Sequence, residues 1–243
     1  MKSTLSTSQS LARLSKPPRL ILSEIGASAA PHHPAIYAFP PNRDTLGGTA
    51  YFIVESSASG SVNILVDCPA WNETCQAFLQ QHGGVQWLFL THRNSIGQAQ
   101  TVQQIFDCNI VMQEQEAYLL PGSKVTTFHH TLTLTPQTRA IWTPGHSPGS
   151  SCLYHSGFGG VLFTGRHLLP TPQGVLSPIR IPKTFHWQRQ LNSVQKLIDE
   201  FSPDTLNIIC PGANLGFLRG QLALEQGYDR IKNALATQTA GEK

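Results

Sequence analysis

Short apolar runs separated by turn-forming residues dominate the first half of the chain. Two such runs, 51–54 and 62–66, lie on either side of a segment rich in Ser and Gly, and this arrangement predicts a β-hairpin. Apolar residues then recur with helical spacing over 73–81, and the continuous apolar run 87–90 is typical of a buried strand. The first half is therefore expected to combine β-strands with single helices.

The second half shows the same alternation and contains the clearest amphipathic helix. Over 187–201 the apolar residues fall on one face at three- and four-residue spacing, and Pro203 ends the pattern. Further helices are predicted over 96–106, 114–120 and 220–235, and further strands over 110–112, 124–128, 131–134, 139–143, 151–155, 160–164 and 206–210. Strands that alternate with single helices in two successive halves indicate an α/β protein with two packed β-sheets and helices outside them.

The N-terminal region differs in composition from the rest of the chain. Its prolines favour extended and turn segments, so the folded domain is expected to begin near Ile36. We expect a partly disordered or extended N-terminal extension over 1–35, a single domain over 36–238 and a tail over 239–243. Residues 1–16 are rich in Ser and Thr and contain no acidic residue, which is typical of a disordered tail and also of an organellar transit peptide.

Charge and cysteine content exclude several classes of protein. Charged residues make up 13% of the chain, against roughly 25% in an average soluble protein. The net charge is +3 and the basic residues are scattered, so a nucleic-acid or anionic-membrane surface is not expected. No apolar run approaches the roughly 18 residues that span a bilayer. The five cysteines form no Cys-x-x-Cys pair, which favours buried thiols in a reducing, cytoplasmic or other intracellular compartment.

Five short motifs follow predicted strands in a fixed order. They are Asp67-Cys68-Pro69, Thr91-His92, Thr143-Pro144-Gly145-His146-Ser147-Pro148-Gly149, Thr164-Gly165-Arg166 and Pro211-Gly212-Ala213. Together they resemble the motif series of the metallo-β-lactamase superfamily, in its glyoxalase-II-like branch, over residues 45–218. The resemblance implies an αββα sandwich of two mixed β-sheets with helices on the outer faces.

The same resemblance identifies the positions that hold zinc in the family, and most of them have changed. The family loop Thr-His-x-His-x-Asp-His keeps only His92, and the second motif keeps His146. The family's bridging aspartate corresponds to Arg166. The vestigial metal-site positions are His92, Asn94, Ile96, Gly97, His146, Arg166 and Ala213. If a gap is opened so that Ile96 and Gly97 align with the Ile-Gly that follows the family loop, the aspartate and the third histidine of that loop are still missing.

Too few donors remain for a two-metal site. Zinc hydrolases use about three protein ligands and a water for each ion, and two histidines without a carboxylate fall short of that. The hypothesis is that Arg166 occupies part of the former metal space. Its positive charge would be compensated by Asp67 or by the neutral imidazoles of His92 and His146. Asp67, Cys68 and Cys210 are expected at the same pocket. No cofactor is expected, and the alternative is one weakly bound zinc completed by His167, Cys210 or Cys68.

Other candidate residues favour ordinary structural roles. Adjacent histidines on extended backbone face opposite ways, so His32-His33 and His129-His130 are expected to be surface or loop residues. Ser147, Ser150 and Ser151 lie near a histidine, but no Gly-x-Ser-x-Gly elbow accompanies them, so a serine hydrolase is not predicted.

Two functional hypotheses follow from the sequence. The first is a non-catalytic protein of the hydrolase fold that binds an unidentified protein partner or small ligand, with an assembly or regulatory role. The second is a hydrolase with a rebuilt mononuclear or metal-free site that uses the catalytic candidates His92, His146 and Arg166. Fold alone does not decide between them, because the site determines the chemistry.

Overall fold

A seven-stranded mixed sheet forms the first layer of the protein. The computed structural model describes residues 16–23, 33–57 and 60–240. The strands of the first sheet are β1 (Arg19–Ser23), β2 (Ala35–Ala38), β3 (Tyr51–Ser57), β4 (Gly60–Val66), β5 (Trp87–Phe89), β6 (Asn109–Gln113) and β7 (Val125–Phe128). They lie side by side in chain order, antiparallel from β1 to β4 and parallel from β4 to β7. The predicted hairpin is the pair β3–β4.

A five-stranded sheet packs against the first. The strands of the second half are β8 (Thr131–Thr133), β9 (Thr138–Trp142), β10 (Ser151–His155), β11 (Val161–Gly165), β12 (Leu169–Pro170), β13 (Leu176–Ser177) and β14 (Ile208–Pro211). Their order in the second sheet is β14-β11-β10-β9-β8, while β12 and β13 pair separately. Among the described strands of this second sheet, β11 and β14 pair parallel and the other neighbours pair antiparallel.

In the part of the chain that the structure describes, five α-helices cover the outer faces of the two sheets. They are α1 (Glu73–Gln81), α2 (Ala99–Phe106), α3 (Glu114–Ala117), α4 (Trp187–Glu200) and α5 (Gly227–Ala240). Asn72 caps α1, because its side-chain oxygen accepts a hydrogen bond from the Cys75 amide at 3.0 Å. The helix residues Leu79 and Val102 bury against the first sheet, and Val194 and Ile231 against the second.

A central core lies between the two sheets. It contains apolar residues of the first sheet, such as Ile53 and Phe89, together with Leu153 and Phe163 of the second. Each fully buried side chain of this size contributes about 1.5–3 kcal/mol through burial of apolar surface. The αββα sandwich predicted from the sequence is therefore confirmed. Of the described helices, none has the length and apolar character needed to cross a membrane.

The limits of several elements differ from the prediction. The first sheet begins upstream of Ile36, because β1 pairs with β2 through Arg19↔Ala38 and Ser23↔Ala35. The last helix starts at Gly227 rather than near Gly220, since Leu224 forms a β-bridge with Ile209. Helix α5 also runs past the predicted domain end at residue 238. The predictions of a disordered tail or transit peptide over 1–16 fall almost wholly outside the described residues.

A buried polar cluster joins the two sheets away from the motif loops. Glu55 of β3 accepts a hydrogen bond from the Thr135 hydroxyl at 3.2 Å, and its carboxylate also contacts the hydroxyl of Thr138. Its carboxylate lies 3.2 Å from Nδ1 of His155. Burial raises the pKa of Glu55, but the hydrogen bonds from His155, Thr138 and Thr135 outweigh burial, so the pKa lies below its ordinary value. The cluster is a structural link between layers.

Candidate functional site

The motif loops meet at one end of the sandwich, where β5, β9, β11 and β14 finish. The amide of Ser151, at the end of the second motif, donates a 2.8 Å hydrogen bond to the Thr91 carbonyl. The Gly212 amide donates a 2.8 Å hydrogen bond to the Gly165 carbonyl. The rings of His92 and His146 pack edge to face, with centroids 5.1 Å apart. The sequence motifs therefore form one site in space.

A chain of hydrogen bonds fixes the His92 ring. Asp67 accepts from the Thr91 amide at 2.7 Å and from the Thr91 hydroxyl at 2.8 Å. Because this hydroxyl proton goes to Asp67, its oxygen is left to accept from Nδ1 of His92 at 2.9 Å. The neutral ring then carries its proton on Nδ1. Its Nε2 atom is a bare acceptor that is buried and has no hydrogen-bond partner among the described residues.

Burial controls the protonation of the groups in this chain. Burial raises the pKa of Asp67 to about 6, although hydrogen bonds from Thr91 and Ser95 and the charge of Arg166 oppose it. Burial lowers the pKa of His92 well below its ordinary value, and the neighbouring His146 and Arg166 add to this. The pKa of His146 falls to about 4 through burial and the charges of Arg166 and Arg93. Both imidazoles are therefore neutral at pH 7.

Arg166, predicted at the position of the family's carboxylate, directly follows β11. Its Nη2 group donates to the backbone carbonyls of Leu46 at 2.7 Å and Thr45 at 3.2 Å. It forms no ion pair with Asp67 in the described part of the chain. Burial lowers the pKa of the Arg166 guanidinium, and the charge of Asp67 opposes this effect from a longer distance. The guanidinium is instead held by two backbone carbonyls, one from Thr45 in the 3₁₀ turn Arg43–Thr45 and one from Leu46, which caps that turn.

The other positions predicted to be vestigial metal sites lie in different surroundings. Asn94 lines the cleft described below, whereas Ile96 packs against the outer core of the first sheet. A Cβ atom at Gly97 would lie 2.8 Å from Cβ of Cys68, so a histidine does not fit there. Ala213 is buried after β14. The loop that supplies four ligands in the family therefore offers one histidine.

Several residues expected at the pocket lie behind it. Cys68 belongs to the core outside the first sheet, and Cys210 to the core between the sheets. Burial raises the thiol pKa of both residues. Asp67 is buried and acts through Thr91. His167 is fully buried, and burial followed by the charge of His146 lowers its pKa to about 3.

The glycines of the motifs have packing reasons of their own. A Cβ atom at Gly145 would lie 2.3 Å from Cα of Gln190, and φ there is +148°. A Cβ atom at Gly165 would lie 2.4 Å from the Thr91 hydroxyl, and one at Gly212 would lie 2.7 Å from Cα of Gly165. These close approaches give each of these positions a structural need for glycine.

A cleft of about 530 Å³ opens beside this site. Its polar lining residues are Arg93, Asn94, His146, Ser147, Arg166 and Lys183, and its apolar ones are Leu46, Pro148, Ile181 and Phe185. An adjoining cavity shares Leu46, Arg93 and Asn94 with it and contains Asp44. Segment 181–185 and Ser147 were not predicted as cleft residues, because no motif accompanies the former and serine was considered only as a nucleophile.

The donor set of this cleft does not fit a pair of metal ions. His92 and His146 are the remaining imidazoles at the family positions, and Arg166 brings positive charge to them. No three His, Cys, Asp or Glu side chains within residues 16–23, 33–57 and 60–240 come together as a metal-binding group. Within the described residues, His167, Cys68 and Cys210 do not form a metal-binding group with His92 and His146.

The other candidate side chains lie elsewhere or lack partners for catalysis. His33, His129 and His130 are exposed, and His129 contacts Glu114 at 2.7 Å. His32 falls outside the described residues. Ser151 donates to the Gly149 carbonyl at 3.0 Å, and the Ser147 hydroxyl has no hydrogen-bond partner in the described ranges.

Comparison with known proteins agrees with this architecture. Residues 130–212, about a third of the chain, match the family model described as the metallo-beta-lactamase superfamily. The chain is similar to the DIM-1 metallo-β-lactamase, with a TM-score of 0.63 and 12% identity over 92% of this chain and 99% of that one. It is also similar to an archaeal superfamily protein from Sulfolobus tokodaii, with a TM-score of 0.59 and 14% identity over 84% and 86%.

A third similar structure is that of TTHA1623 in a di-iron-bound form, with a TM-score of 0.55 and 22% identity over 75% of this chain and 98% of that one. No curated protein matches the chain. The fold implied by the motif resemblance is thereby confirmed, and residues 130–212 match the family model of the metallo-β-lactamase superfamily. The fold extends over most of the chain, and the sequence pattern extends over residues 130–212.

Proposed function

We propose that this protein is a non-catalytic member of the fold whose former metal cleft now binds a ligand. The observation that carries the proposal is Arg166, held by two backbone carbonyls where the family has its bridging aspartate. A divalent ion beside a guanidinium is repelled, and the two histidines that remain cannot offset that repulsion. We therefore expect no tightly bound metal.

A metal-free hydrolase is the second candidate, favoured by one observation. The bare Nε2 atom of His92 and the guanidinium of Arg166 lie in one site, as a base and an oxyanion donor would. Burial, however, weakens both imidazoles as bases at neutral pH, and a general base acts best with a pKa near the working pH. The non-catalytic proposal therefore has the stronger support.

A hydrolysis screen tests the proposal. The purified chain is expected to show no turnover of thioesters, lactams or phosphoesters above that of buffer. Arg166→Ala and His146→Ala are assayed beside it, because a contaminating hydrolase is insensitive to these changes. Turnover that is present in the natural chain and lost in either variant would overturn the non-catalytic proposal and support the rebuilt hydrolase.

A further inference from the structure

The cleft presents an unusual excess of positive groups. Arg93, Arg166 and Lys183 line it, and none of its described lining residues is an Asp or Glu. Arg93 forms an ion pair with Glu116, because its Nε atom donates a hydrogen bond to that carboxylate at 2.7 Å. Arg166 and Lys183 form no ion pair in the described part of the chain. The charge of Asp67 acts on Arg166, and Asp44 lines the adjoining cavity.

Buried polar groups at this cleft are also left without partners. The Ser147 hydroxyl lines the cleft, its residue is only 4% exposed, and it has no hydrogen-bond partner among the described residues. Nε of Arg166 is buried and equally unpartnered. Most buried polar groups in proteins are hydrogen-bonded, so two unpartnered donors on residues that line one cavity point to an acceptor that enters from outside. An oxyanion is such an acceptor.

The mouth of the cleft is apolar. Leu46 is 66% exposed, Ile181 40% and Phe185 48%, and all three line the same cavity. They account for three of the eight large hydrophobic residues exposed in the described ranges. Exposed apolar side chains that gather around one cavity mark a binding surface, because burying them removes apolar area from water.

We propose that the cleft binds an amphipathic organic anion, with a carboxylate head and an apolar chain. The head lies between Arg166, Lys183 and Ser147, and the chain packs on Ile181 and Phe185. A cavity of about 530 Å³ is within the usual range for a small organic ligand. This assignment rests on the proposed function, since it requires that the guanidinium, rather than a metal pair, occupies the site.

Octanoate is the probe that combines both features. In isothermal titration calorimetry we expect it to bind at least about 10-fold more tightly than acetate, which lacks the chain, and 1-octanol, which lacks the charge. Equal affinity for acetate would overturn the role of the apolar mouth. Equal affinity for 1-octanol would overturn the role of the cations, and no octanoate binding would overturn the proposal as a whole.

Two exposed side chains allow the contacts to be tested without disturbing the core. Lys183→Gln and Phe185→Ser are each expected to weaken octanoate binding by about 5-fold or more. The matched controls are Lys196→Gln and Phe217→Ser, exposed residues outside the cleft, which are expected to leave the affinity unchanged. Equal binding by the cleft variants and their controls would contradict the proposed location.

Failure of this inference can be told apart from failure of the proposed function. If octanoate does not bind and the hydrolysis screen also shows no turnover, the ligand assignment is wrong while the loss of catalysis stands. If the screen shows turnover that depends on Arg166, the proposed function is wrong, and octanoate acting as a competitive inhibitor would then support the assignment of the cleft.

Discussion

The triple variant Asn94→His, Arg166→Asp, Ala213→His is expected to bind zinc at least about 100-fold more tightly than the natural chain. The variant adds two imidazoles and a carboxylate to His92 and His146, and it removes the guanidinium. Two unit charges about 4 Å apart repel by roughly 4 kcal/mol at an effective dielectric of 20, and a divalent ion feels about double. Since about 1.4 kcal/mol is a factor of ten, the charge change alone exceeds the stated gain.

The double variant Asn94→His, Ala213→His separates the effect of the added ligands from the effect of removing the guanidinium. It has the added ligands but keeps Arg166, so its zinc affinity is expected to stay well below that of the triple variant. Competition with a coloured zinc chelator measures both, after circular dichroism has shown that each variant is folded. Equal affinity of the two variants would show that Arg166 is not the obstacle. A folded triple variant without gain would show that the metal geometry is not inherited.

Replacing Gly145 by alanine is expected to lower the free energy of unfolding by about 3 kcal/mol or more. The new methyl group would lie 2.3 Å from Cα of Gln190, a backbone atom of α4 that cannot move alone. The backbone at Gly145 also has φ of +148°, which a side chain disfavours. Urea denaturation measures the change, and the loop that carries His146 is expected to be displaced.

Gly122→Ala is the matched control for this substitution. Gly122 also has a positive φ of +79°, but an added Cβ meets no atom within 4 Å. Its expected cost is about 1 kcal/mol, from the backbone conformation alone. If Gly145→Ala costs no more than Gly122→Ala, close packing on α4 does not explain why the second motif persists.

The sequence predicted those elements whose signal is local. The hairpin β3–β4, helix α1 and helix α4 follow from apolar spacing and turn residues that lie within each segment. Strand β1 was missed because its place depends on pairing with β2, more than ten residues away. The start of α5 was misplaced because a tertiary bridge from Leu224 to Ile209 holds the preceding segment in an extended form.

The sequence indicates which motif residues lie at the candidate site, but it does not indicate which atoms they contact there. His92, His146 and Arg166 lie close together because each follows a strand that ends at the same end of the sandwich. The hydrogen-bond partners of Arg166 are the backbone carbonyls of Thr45 and Leu46. Every residue has a backbone carbonyl, so the sequence does not indicate which carbonyls accept these hydrogen bonds. Conversely, the cleft residues Lys183 and Phe185 belong to an irregular segment with no motif, so only the folded structure places them at the site.

The central claim is that this cleft does not bind a pair of divalent ions tightly. The most direct test is elemental analysis by mass spectrometry of the natural chain, purified without chelators, dialysed against metal-free buffer and then offered zinc or iron in excess. The account predicts far less than one retained ion per chain. About two tightly retained zinc or iron ions per chain would contradict it.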